Sequence, residues 1–384
     1  MTFSNKILLS PPLLSGKEQK YIDEAFKQNW IVPLGPQVDA FEAEILKSLQ
    51  TKDHFAVAMN SGTSAIHIAL RILGIQTDEE VFCSSLTFIA SANPILYEKA
   101  RPVFIDSEKS TWNLCPKALL KAVETKKKQG KIPRALIAVD LYGESCDYIQ
   151  IEEICKHYGI ELIEDAAEAL GANYRDKQSG TFGRFGILSF NGNKIITTSG
   201  GGMLICKNEA DAKKAHFLIT QARDQAPYYL HSELGFNYRM SNISAAIGLG
   251  QLETLNFRIK RRRAIFERYK SNLSGHPFEF NSNTGFSNSN RWLSTLLFKP
   301  ELLKNNKTPH TFLLALQAKN IESRRVWKPL HTQPLFAQTD FFQSSERSNV
   351  SEEVFERGLC LPSGAQLTDS QVDFISEEII SLLK

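Results

Sequence analysis

The chain has 384 residues, with 45 lysines and arginines against 42 aspartates and glutamates, and a formal net charge of +3. This length is enough for two domains and a sizeable core. The near balance of charges argues against a nucleic-acid partner. No apolar run is long enough to span a bilayer, and the N-terminus lacks the apolar core of a signal peptide. We therefore expect a cytoplasmic protein without membrane contact.

Six cysteines are scattered along the chain, without a C-x-x-C pair and without the spacing of a zinc site. Several of them lie in apolar runs, where a free cysteine behaves as a small hydrophobic residue. The sequence therefore predicts reduced thiols and no metal.

The first 50 residues predict two helices, one around Tyr21 to Phe26 and one from Val38 to Leu49. Between them lies the loop NWIVPLGP, which begins at Asn29. Trp30 in this loop fits two interpretations: it packs beneath the loop, or it lines a ligand site, as loop aromatics beside Pro and Gly do.

From residue 54 onwards, short apolar runs alternate with helical stretches at 63–73, 88–98, 116–127 and 149–158. This alternation predicts an α/β fold with a mostly parallel sheet flanked by helices. Ligands of such sheets bind outside the carboxyl ends of the strands. The predicted strands are Phe55–Met59, Val81–Ser84, Pro102–Ile105, Ala135–Val139, Glu161–Glu164, Phe185–Phe190 and Met203–Cys206.

Beyond Leu252 the alternation weakens, and a helical pattern over 242–273 carries a basic run at residues 260–263. We interpret this run as a solvent-exposed helix face rather than a nucleic-acid patch. A strand at 292–298 and helices at 308–319 and 369–383 predict a smaller α+β domain. The expected division is a large domain at 1–251, which includes the N-terminal helices, and a small C-terminal domain at 252–384.

Two segments that follow strands have the residues of a phosphate site. In the run NSGTS, Gly62 and Thr63 begin a helix, and free N–H groups at a helix N-terminus bind anions. An ordinary Ser/Thr-capped helix explains the same run. Ser189 ends another strand, where its hydroxyl either reaches the same phosphate or is simply buried.

Acidic and aromatic residues follow two further strands. Asp165 ends an apolar strand, where a buried carboxylate needs a partner, and Glu168 follows one turn later. A protonated pyridine nitrogen is such a partner; helix capping and a metal are the alternatives. Phe88 follows the strand that ends near Ser84, and it either stacks on a planar ring or packs in the core.

Lys194 comes directly after the turn Asn191-Gly192-Asn193, with the triplet Gly200-Gly201-Gly202 behind it. A lysine on a glycine-bounded turn is a positioned amine, which Schiff-base chemistry requires. Phosphate cradle, stacking ring, carboxylate and amine together match the groups that surround pyridoxal phosphate. The sequence therefore predicts pyridoxal 5'-phosphate as the cofactor, with Lys194 and Asp165 as the catalytic residues.

Motifs along almost the whole chain resemble the DegT/DnrJ/EryC1/StrS family of nucleotide-sugar aminotransferases. The resemblance rests on NSGTSAIHIAL, TFIASAN, PVFIDS, LYG, IEDAAEALGA, GTFG, SFNGNK, GGGML, GFNYRMSNISAAIG and KPLHTQPLF, in this order. It implies the aspartate-aminotransferase fold (fold type I) in a homodimer with shared active sites. The implied reaction transfers an amino group from L-glutamate to a nucleotide-linked keto sugar.

The resemblance also implies roles for single residues. Lys194 would bind the cofactor, Asp165 would pair with the pyridine nitrogen and Phe88 would lie against the ring. Asn237 would reach the cofactor phosphate of the partner subunit. The phosphate ligands in the same chain would be Gly62, Thr63 and Ser189. Glu168 occupies a position near the cofactor hydroxyl that is glutamine or histidine in many relatives, so its role is open.

Within the family, the runs PLGP, EDAAEALG and NGNKIITTSGGGML are similar to transaminases of UDP-linked 4-amino-4,6-dideoxy-N-acetylglucosamine. This likeness implies amination at C4 of a UDP-linked 4-keto-6-deoxy sugar for bacterial surface glycans or protein glycosylation. By analogy, two segments would bind the nucleotide sugar; they are Trp30, Ile31, Val32 and Pro33, and Trp327, Lys328, Pro329, Leu330 and His331. Alternatives are a GDP- or dTDP-linked sugar, as in a perosamine synthase, and a non-catalytic nucleotide-sugar sensor.

Overall fold

A computed structural model describes residues 5–281, 285–345 and 349–384 of the chain. The α-helices are α1 (Glu18–Lys27), α2 (Pro36–Ser48), α3 (Gly62–Leu73), α4 (Asn93–Tyr97), α5 (Pro116–Lys128), α6 (Tyr148–Tyr158), α7 (Glu209–Ile219), α8 (Asn242–Leu252), α9 (Leu255–Asn272), α10 (Pro300–Lys304), α11 (Pro309–Ala318), α12 (Val350–Arg357) and α13 (Asp369–Ser381).

The strands fall into three sheets. They are β1 (Phe55–Met59), β2 (Glu80–Ser84), β3 (Arg101–Ile105), β4 (Ala135–Val139), β5 (Glu161–Asp165), β6 (Asn173–Tyr174), β7 (Lys177–Gln178), β8 (Phe185–Ser189), β9 (Gly202–Cys206), β10 (Phe278–Phe280), β11 (Ser287–Asn288), β12 (Ser294–Phe298), β13 (Arg324–Arg325), β14 (Phe341–Phe342) and β15 (Gly358–Leu361).

The central sheet has eight strands in the order β1-β9-β8-β5-β4-β2-β3-β14. The pairs from β8 to β14 are parallel, whereas β9 runs antiparallel to both β1 and β8. The predicted mostly parallel sheet is therefore confirmed. Five-residue apolar strands form it because they are buried on both faces under the helices.

Apolar clusters lie on both faces of the central sheet. One contains α3 residues such as Ile68 and Leu70, and another contains Phe41 of α2 and Phe190. A further cluster, around Phe298 and Ile375, forms the core of the smaller four-stranded sheet β10-β12-β15-β13. No helix among the described residues has both the length and the apolar character that a membrane span requires. All six cysteines are buried free thiols.

Two predicted helices differ from the structure. The stretch 88–98 is divided into a short 3-10 turn (Ile89–Ser91) and α4, whose second residue is Pro94. Proline in that position begins a helix, since it has no N–H to donate within one. The pattern over 242–273 forms α8 and α9, which are separated by a turn at residues 253–254.

The prediction that residues 260–263 form a solvent-exposed face is wrong for Arg262, which is 2% exposed. Buried positions of α9 recur every three or four residues, and Ile259, Arg262 and Phe266 belong to this stripe. Lys260 is exposed, and the other two arginines of the run are half-buried. A run of like charges in a sequence does not tell which member faces inward.

Candidate active site

A cavity of about 340 Å³ lies where the carboxyl ends of β5 and β8 meet the N-terminus of α3. This is the edge at which parallel sheets bind their ligands. Eight of the residues predicted from the sequence line it, namely Gly62, Thr63, Phe88, Asp165, Glu168, Ser189, Lys194 and Trp327. Residues from separate strands and loops are thus brought to one place.

Lys194 reaches into the cavity from the turn that follows β8. Its backbone N–H donates to the carbonyl of Asn191 at 3.0 Å, which closes the turn. The side chain is 12% exposed, and Nζ lies 3.5 Å from Oε1 of Glu168. Nζ also lies 4.0 Å from the centroid of the Trp292 ring. The amine is therefore held by neighbours rather than by solvent.

Asp165 is buried at the end of β5, with 4% of its surface exposed. Oδ2 accepts a hydrogen bond from the Ser91 hydroxyl at 2.6 Å, and Oδ1 accepts one from the Ala167 N–H at 3.2 Å. Burial raises the pKa of Asp165, while Ser91, Ala167 and the charge of Lys194 lower it. A cationic partner in the cavity would favour the ionised form further.

Glu168 is tied to the loop after β4. Its Oε2 accepts a hydrogen bond from the backbone N–H of Tyr142 at 2.7 Å, so only Oε1 faces Lys194. Burial raises the pKa of Glu168, while the charge of Lys194 and the Tyr142 N–H lower it. The carboxyl group is thus oriented by the main chain and paired with the amine.

The candidate phosphate cradle forms where α3 meets the ends of β8 and β9. A Cβ built on Gly62 would lie 3.3 Å from Cβ of Ser189, so these residues adjoin. A Cβ on Gly202 would lie 2.3 Å from the backbone of Ser61, so β9 passes close beneath the helix start. Ser61 caps α3 by accepting from the Ser64 N–H. The N–H groups of Gly62 and Thr63, the first two residues of α3, remain for an anion.

Aromatic side chains form one wall of the cavity. The rings of Phe88 and Trp327 have centroids 5.2 Å apart. Behind them, Tyr142 stacks on Trp327 on one side (6.4 Å, 13°) and on Trp292 on the other (6.3 Å, 20°). Tyr142 has φ of +53°, a left-handed conformation that is uncommon for a bulky residue. Its hydroxyl accepts from the backbone N–H of Trp327 at 2.9 Å.

Asn237 and the loop 30–33 lie outside this cavity. Asn237 is exposed, and its carbonyl accepts from Nδ2 of Asn60, a residue that lines the cavity, at 3.4 Å. In the loop 30–33, Ile31 and Val32 are exposed. Asn242 holds the loop by donating to the carbonyls of Trp30 and Val32. The substrate role of Trp30, Ile31, Val32 and Pro33 stays a prediction.

The segment after Trp327 turns away from the cavity. Lys328 is exposed, whereas Pro329 and Leu330 are buried. Nδ1 of His331 lies 2.6 Å from the Ser85 hydroxyl, and Nε2 lies 3.0 Å from Glu352. The contacts of Leu330 and His331 are those of packed residues, and the substrate role of Lys328 to His331 stays a prediction.

Three residues of the site had no assigned role in the sequence analysis. Ser91 lies in the motif TFIASAN and Tyr142 lies in the motif LYG, so both belong to runs that carry the family resemblance. Trp292 is the first residue of the strand predicted at 292–298 and lies 98 positions after Lys194 in the chain. No spacing in the sequence relates Trp292 to the lysine.

The sequence profile of the DegT/DnrJ/EryC1/StrS aminotransferase family matches residues 12–380. The chain belongs to this family. The membership confirms the resemblance seen in the motifs, and with it the expectation of an aminotransferase.

Known proteins of the DegT/DnrJ/EryC1/StrS family align over nearly the whole chain. A Bacillus subtilis protein named putative pyridoxal phosphate-dependent aminotransferase EpsN is 52% identical over 379 residues, which cover 98% of this chain and 96% of the relative. The GDP-perosamine synthase of Escherichia coli O157:H7 is 34% identical, with 96% of each chain covered. A crystal structure of a family aminotransferase from Brucella abortus superposes with a TM-score of 0.87 at 26% identity, covering 95% of each chain. The predicted fold type I is confirmed.

Proposed function

We propose that this enzyme transfers the amino group of L-glutamate to C4 of a nucleotide-linked 4-keto-6-deoxy sugar. One observation carries the proposal. In a chain of this aminotransferase family, Lys194 and the buried Asp165 line one cavity, together with the start of α3. The product would be an amino sugar for bacterial surface glycans or protein glycosylation, made in the cytoplasm.

The cofactor is pyridoxal phosphate, since the chain belongs to this aminotransferase family and the relative at 52% identity is named as dependent on it. The residues present fit the group: a helix N-terminus and Ser189 suit the phosphate, and a buried carboxylate suits a protonated ring nitrogen. When bound, pyridoxal phosphate supplies an electrophilic carbon for the amine and a ring that withdraws electrons.

The side chains divide the remaining work. Asp165 presents its carboxyl group at the floor of the cavity, oriented by Ser91 and by the Ala167 N–H, where a cationic ring nitrogen would favour the ionised form. Lys194 would hold the cofactor through its amine and would move the proton as general base and acid. Proton transfer of this kind contributes about 10²–10⁴ in rate. Glu168, at 3.5 Å, accepts a hydrogen bond from the Lys194 ammonium and keeps it in the cavity.

Covalent labelling tests this assignment. Borohydride reduction of the yellow protein should fix one cofactor per chain on Lys194, as peptide mass spectrometry would show. Lys194→Ala should keep the fold and lose turnover. A label on another lysine would refute the assignment of the catalytic amine.

We further propose a homodimer in which each cavity is completed by the partner. The support is that Asn237 and residues 31–33 are exposed, and that Asn237 and the loop 30–33 lie outside the cavity of their own chain. Tyr228, Tyr229 and Leu234 are also exposed, by 64%, 78% and 64%. Exposed apolar residues of this number suit a protein interface. Light scattering should give twice the chain mass, and a monomer with full activity would refute the shared site.

For the nucleotide, the motif likeness favours UDP and an N-acetylhexosamine. GDP has independent support, because relatives of 34% and 36% identity are named GDP-perosamine synthases. The two candidates share the same chemistry and differ in base and sugar. Matched assays with the UDP-, GDP- and dTDP-linked 4-keto-6-deoxy sugars, each with L-glutamate, distinguish them. Equal or faster amination of the GDP sugar would refute the UDP assignment.

A non-catalytic nucleotide-sugar sensor is the alternative of another class. The pair of Lys194 and Asp165 in one cavity weighs against it. Addition of L-glutamate alone separates the two, because an aminotransferase converts its cofactor to the amine form and loses the yellow absorbance. An unchanged spectrum would support the sensor.

A further inference from the structure

Trp292 faces the catalytic lysine, although it has no role in the proposed reaction. The side chain is 1% exposed and forms part of the cavity wall. The centroid of its ring lies 4.0 Å from Nζ of Lys194, within the range of a cation–π contact. Tryptophan is the aromatic residue whose ring face attracts a cation most strongly.

The same side chain also holds the turn that carries the lysine. Nε1–H of Trp292 donates to the carbonyl of Asn193 at 2.8 Å. The hydroxyl of Ser10 donates to the same carbonyl, also at 2.8 Å. Asn193 immediately precedes Lys194, so two donors fix the peptide from which the lysine side chain extends. One donor comes from the N-terminal segment and the other from the residues before β12.

Arg262, buried in α9, anchors both donors. One of its terminal nitrogens donates to the Ser10 hydroxyl at 3.0 Å, and the other donates to the backbone carbonyl of Trp292. Burial and the neighbouring Arg258 lower the pKa of Arg262 to about 9, which leaves it protonated at neutral pH. Burial of a cation costs free energy, so the position of Arg262 beside Ser10 and Trp292 calls for a functional explanation.

We propose that Trp292 is a positioning residue for Lys194: its ring face and its N–H, with Ser10 and Arg262 behind it, hold the amine in reach of the reacting atoms. The inference rests on the proposed function. Nζ of Lys194 has the Trp292 ring at 4.0 Å and Oε1 of Glu168 at 3.5 Å, and the same contacts would hold the amine in the cavity whenever it is not bonded to the cofactor. A long flexible side chain is otherwise free to turn away, and proton transfer needs hydrogen-bond reach.

The test compares two substitutions that divide the functions of the indole. Trp292→Phe keeps a ring face and loses the N–H, and Trp292→Leu loses both. Phe298→Leu is the matched control, because Phe298 is fully buried in β12 and does not line the cavity. Phe298→Leu shows how far the removal of a buried aromatic ring from this region changes stability and rate by itself.

The first readout is the half-reaction of the loaded full-length enzyme with L-glutamate, followed by the cofactor absorbance. We expect Trp292→Leu to lower its maximal rate about 10- to 30-fold, with KM for L-glutamate within about 2-fold. Trp292→Phe, which keeps the ring face and loses one donor to the Asn193 carbonyl, should lower the rate about 3- to 10-fold. Phe298→Leu should lower the melting temperature without changing the rate. Equal rates for Trp292→Leu and wild type, or an equal loss in both Trp292 variants, would overturn the proposal.

The second readout does not depend on turnover. Full-length protein stripped of its cofactor is mixed with pyridoxal phosphate, and borohydride fixes what has reacted with Lys194 after each interval. The attachment rate should fall in Trp292→Leu by about the same factor as the half-reaction. If wild type itself gains no label at Lys194, the proposed function fails instead.

Ser10→Ala keeps the inference falsifiable if Trp292→Leu does not fold. It removes one of the two donors to the Asn193 carbonyl and leaves the ring in place. Attachment should slow about 3- to 10-fold, and an unchanged rate in both Ser10→Ala and Trp292→Phe would overturn the role of the clamped carbonyl.

Discussion

Replacing Asp165 with asparagine removes a negative charge from the floor of the cavity and nearly conserves its shape. The carbonyl oxygen of the introduced amide could still accept from the Ala167 N–H, and the Ser91 hydroxyl could turn to accept from the amide nitrogen. The fold should therefore persist, and the change should act on the cofactor. A hydrogen bond to a charged group contributes about 1.5–3 kcal/mol, so the Kd for pyridoxal phosphate should rise about 10- to 150-fold.

Stability should move in the opposite direction in the absence of cofactor. Burial raises the pKa of Asp165, so the folded chain binds this proton more tightly than the unfolded chain does. Such a group lowers the stability of the native state as pH rises from the ordinary aspartate value through the raised one. At pH 8, cofactor-free Asp165→Asn should therefore melt no lower than wild type.

Absorbance titration gives the Kd, and calorimetry at pH 5 and pH 8 gives the melting temperatures. Asp140→Asn is the matched control, because Asp140 is equally buried after the neighbouring strand β4 but does not line the cavity. Its Oδ1 accepts from the Tyr148 hydroxyl and the Cys146 N–H. Unchanged cofactor affinity in Asp165→Asn, or an equal loss in Asp140→Asn, would refute the reasoning.

Three further changes have expected outcomes. Glu168→Gln should keep at least about a tenth of the activity, since the amide oxygen of glutamine still accepts from the Tyr142 N–H. Burial raises the pKa of the Glu168 carboxyl, so the wild-type rate should fall at low pH as this group takes up a proton. The pH–rate profile of Glu168→Gln should lose this acid limb. An unchanged limb would assign it to another group. Gly202→Ala should lower the free energy of unfolding by about 1–3 kcal/mol and weaken cofactor binding, because its Cβ meets the backbone at the start of α3. Gly192→Ala, whose Cβ meets nothing within 4 Å, is the control. Glu42→Gln should raise the free energy of unfolding by about 1–3 kcal/mol at pH 8 but not at pH 4, because burial raises the pKa of Glu42 to about 7; equal effects at both pH values would contradict this.

The sequence predicted seven of the eight described strands of the central sheet to within a residue at each end, whereas β14 was not predicted. Runs such as Ala135–Val139 are short, wholly apolar and bounded by polar residues, so length and flanks identify them. The cavity residues followed from the same reasoning, because the ends of parallel strands meet at one edge. Asp165 and Ser189 could be predicted as cavity residues in this way, and the structure places both in the cavity.

What the sequence did not predict depends on contacts between distant segments. Trp292, just before β12, meets Lys194, in the turn after β8, through tertiary packing, and no periodicity encodes that contact. The burial of Arg262 depends on which side of α9 faces Ser10. The spacing of the apolar residues in α9 indicates that position 262 faces inward. The four basic residues in succession suggested instead that the whole run faces solvent. Local patterns give elements, whereas side-chain partners come from tertiary packing.

The expected division of the chain at residue 251 is crossed in both directions. The edge strand β14 comes from the C-terminal part and pairs with β3 of the large sheet, and Asp106 after β3 caps the N-terminus of α12. In return, Ile7 pairs with Ile321 and packs in the small core. The two halves are therefore not interchangeable modules. A chimaera joined at this position with a distant relative would have to re-form both contacts, β14 with β3 and Ile7 with Ile321, between residues of different origin. Recombination in nature or in the laboratory should therefore preserve the two halves as a pair.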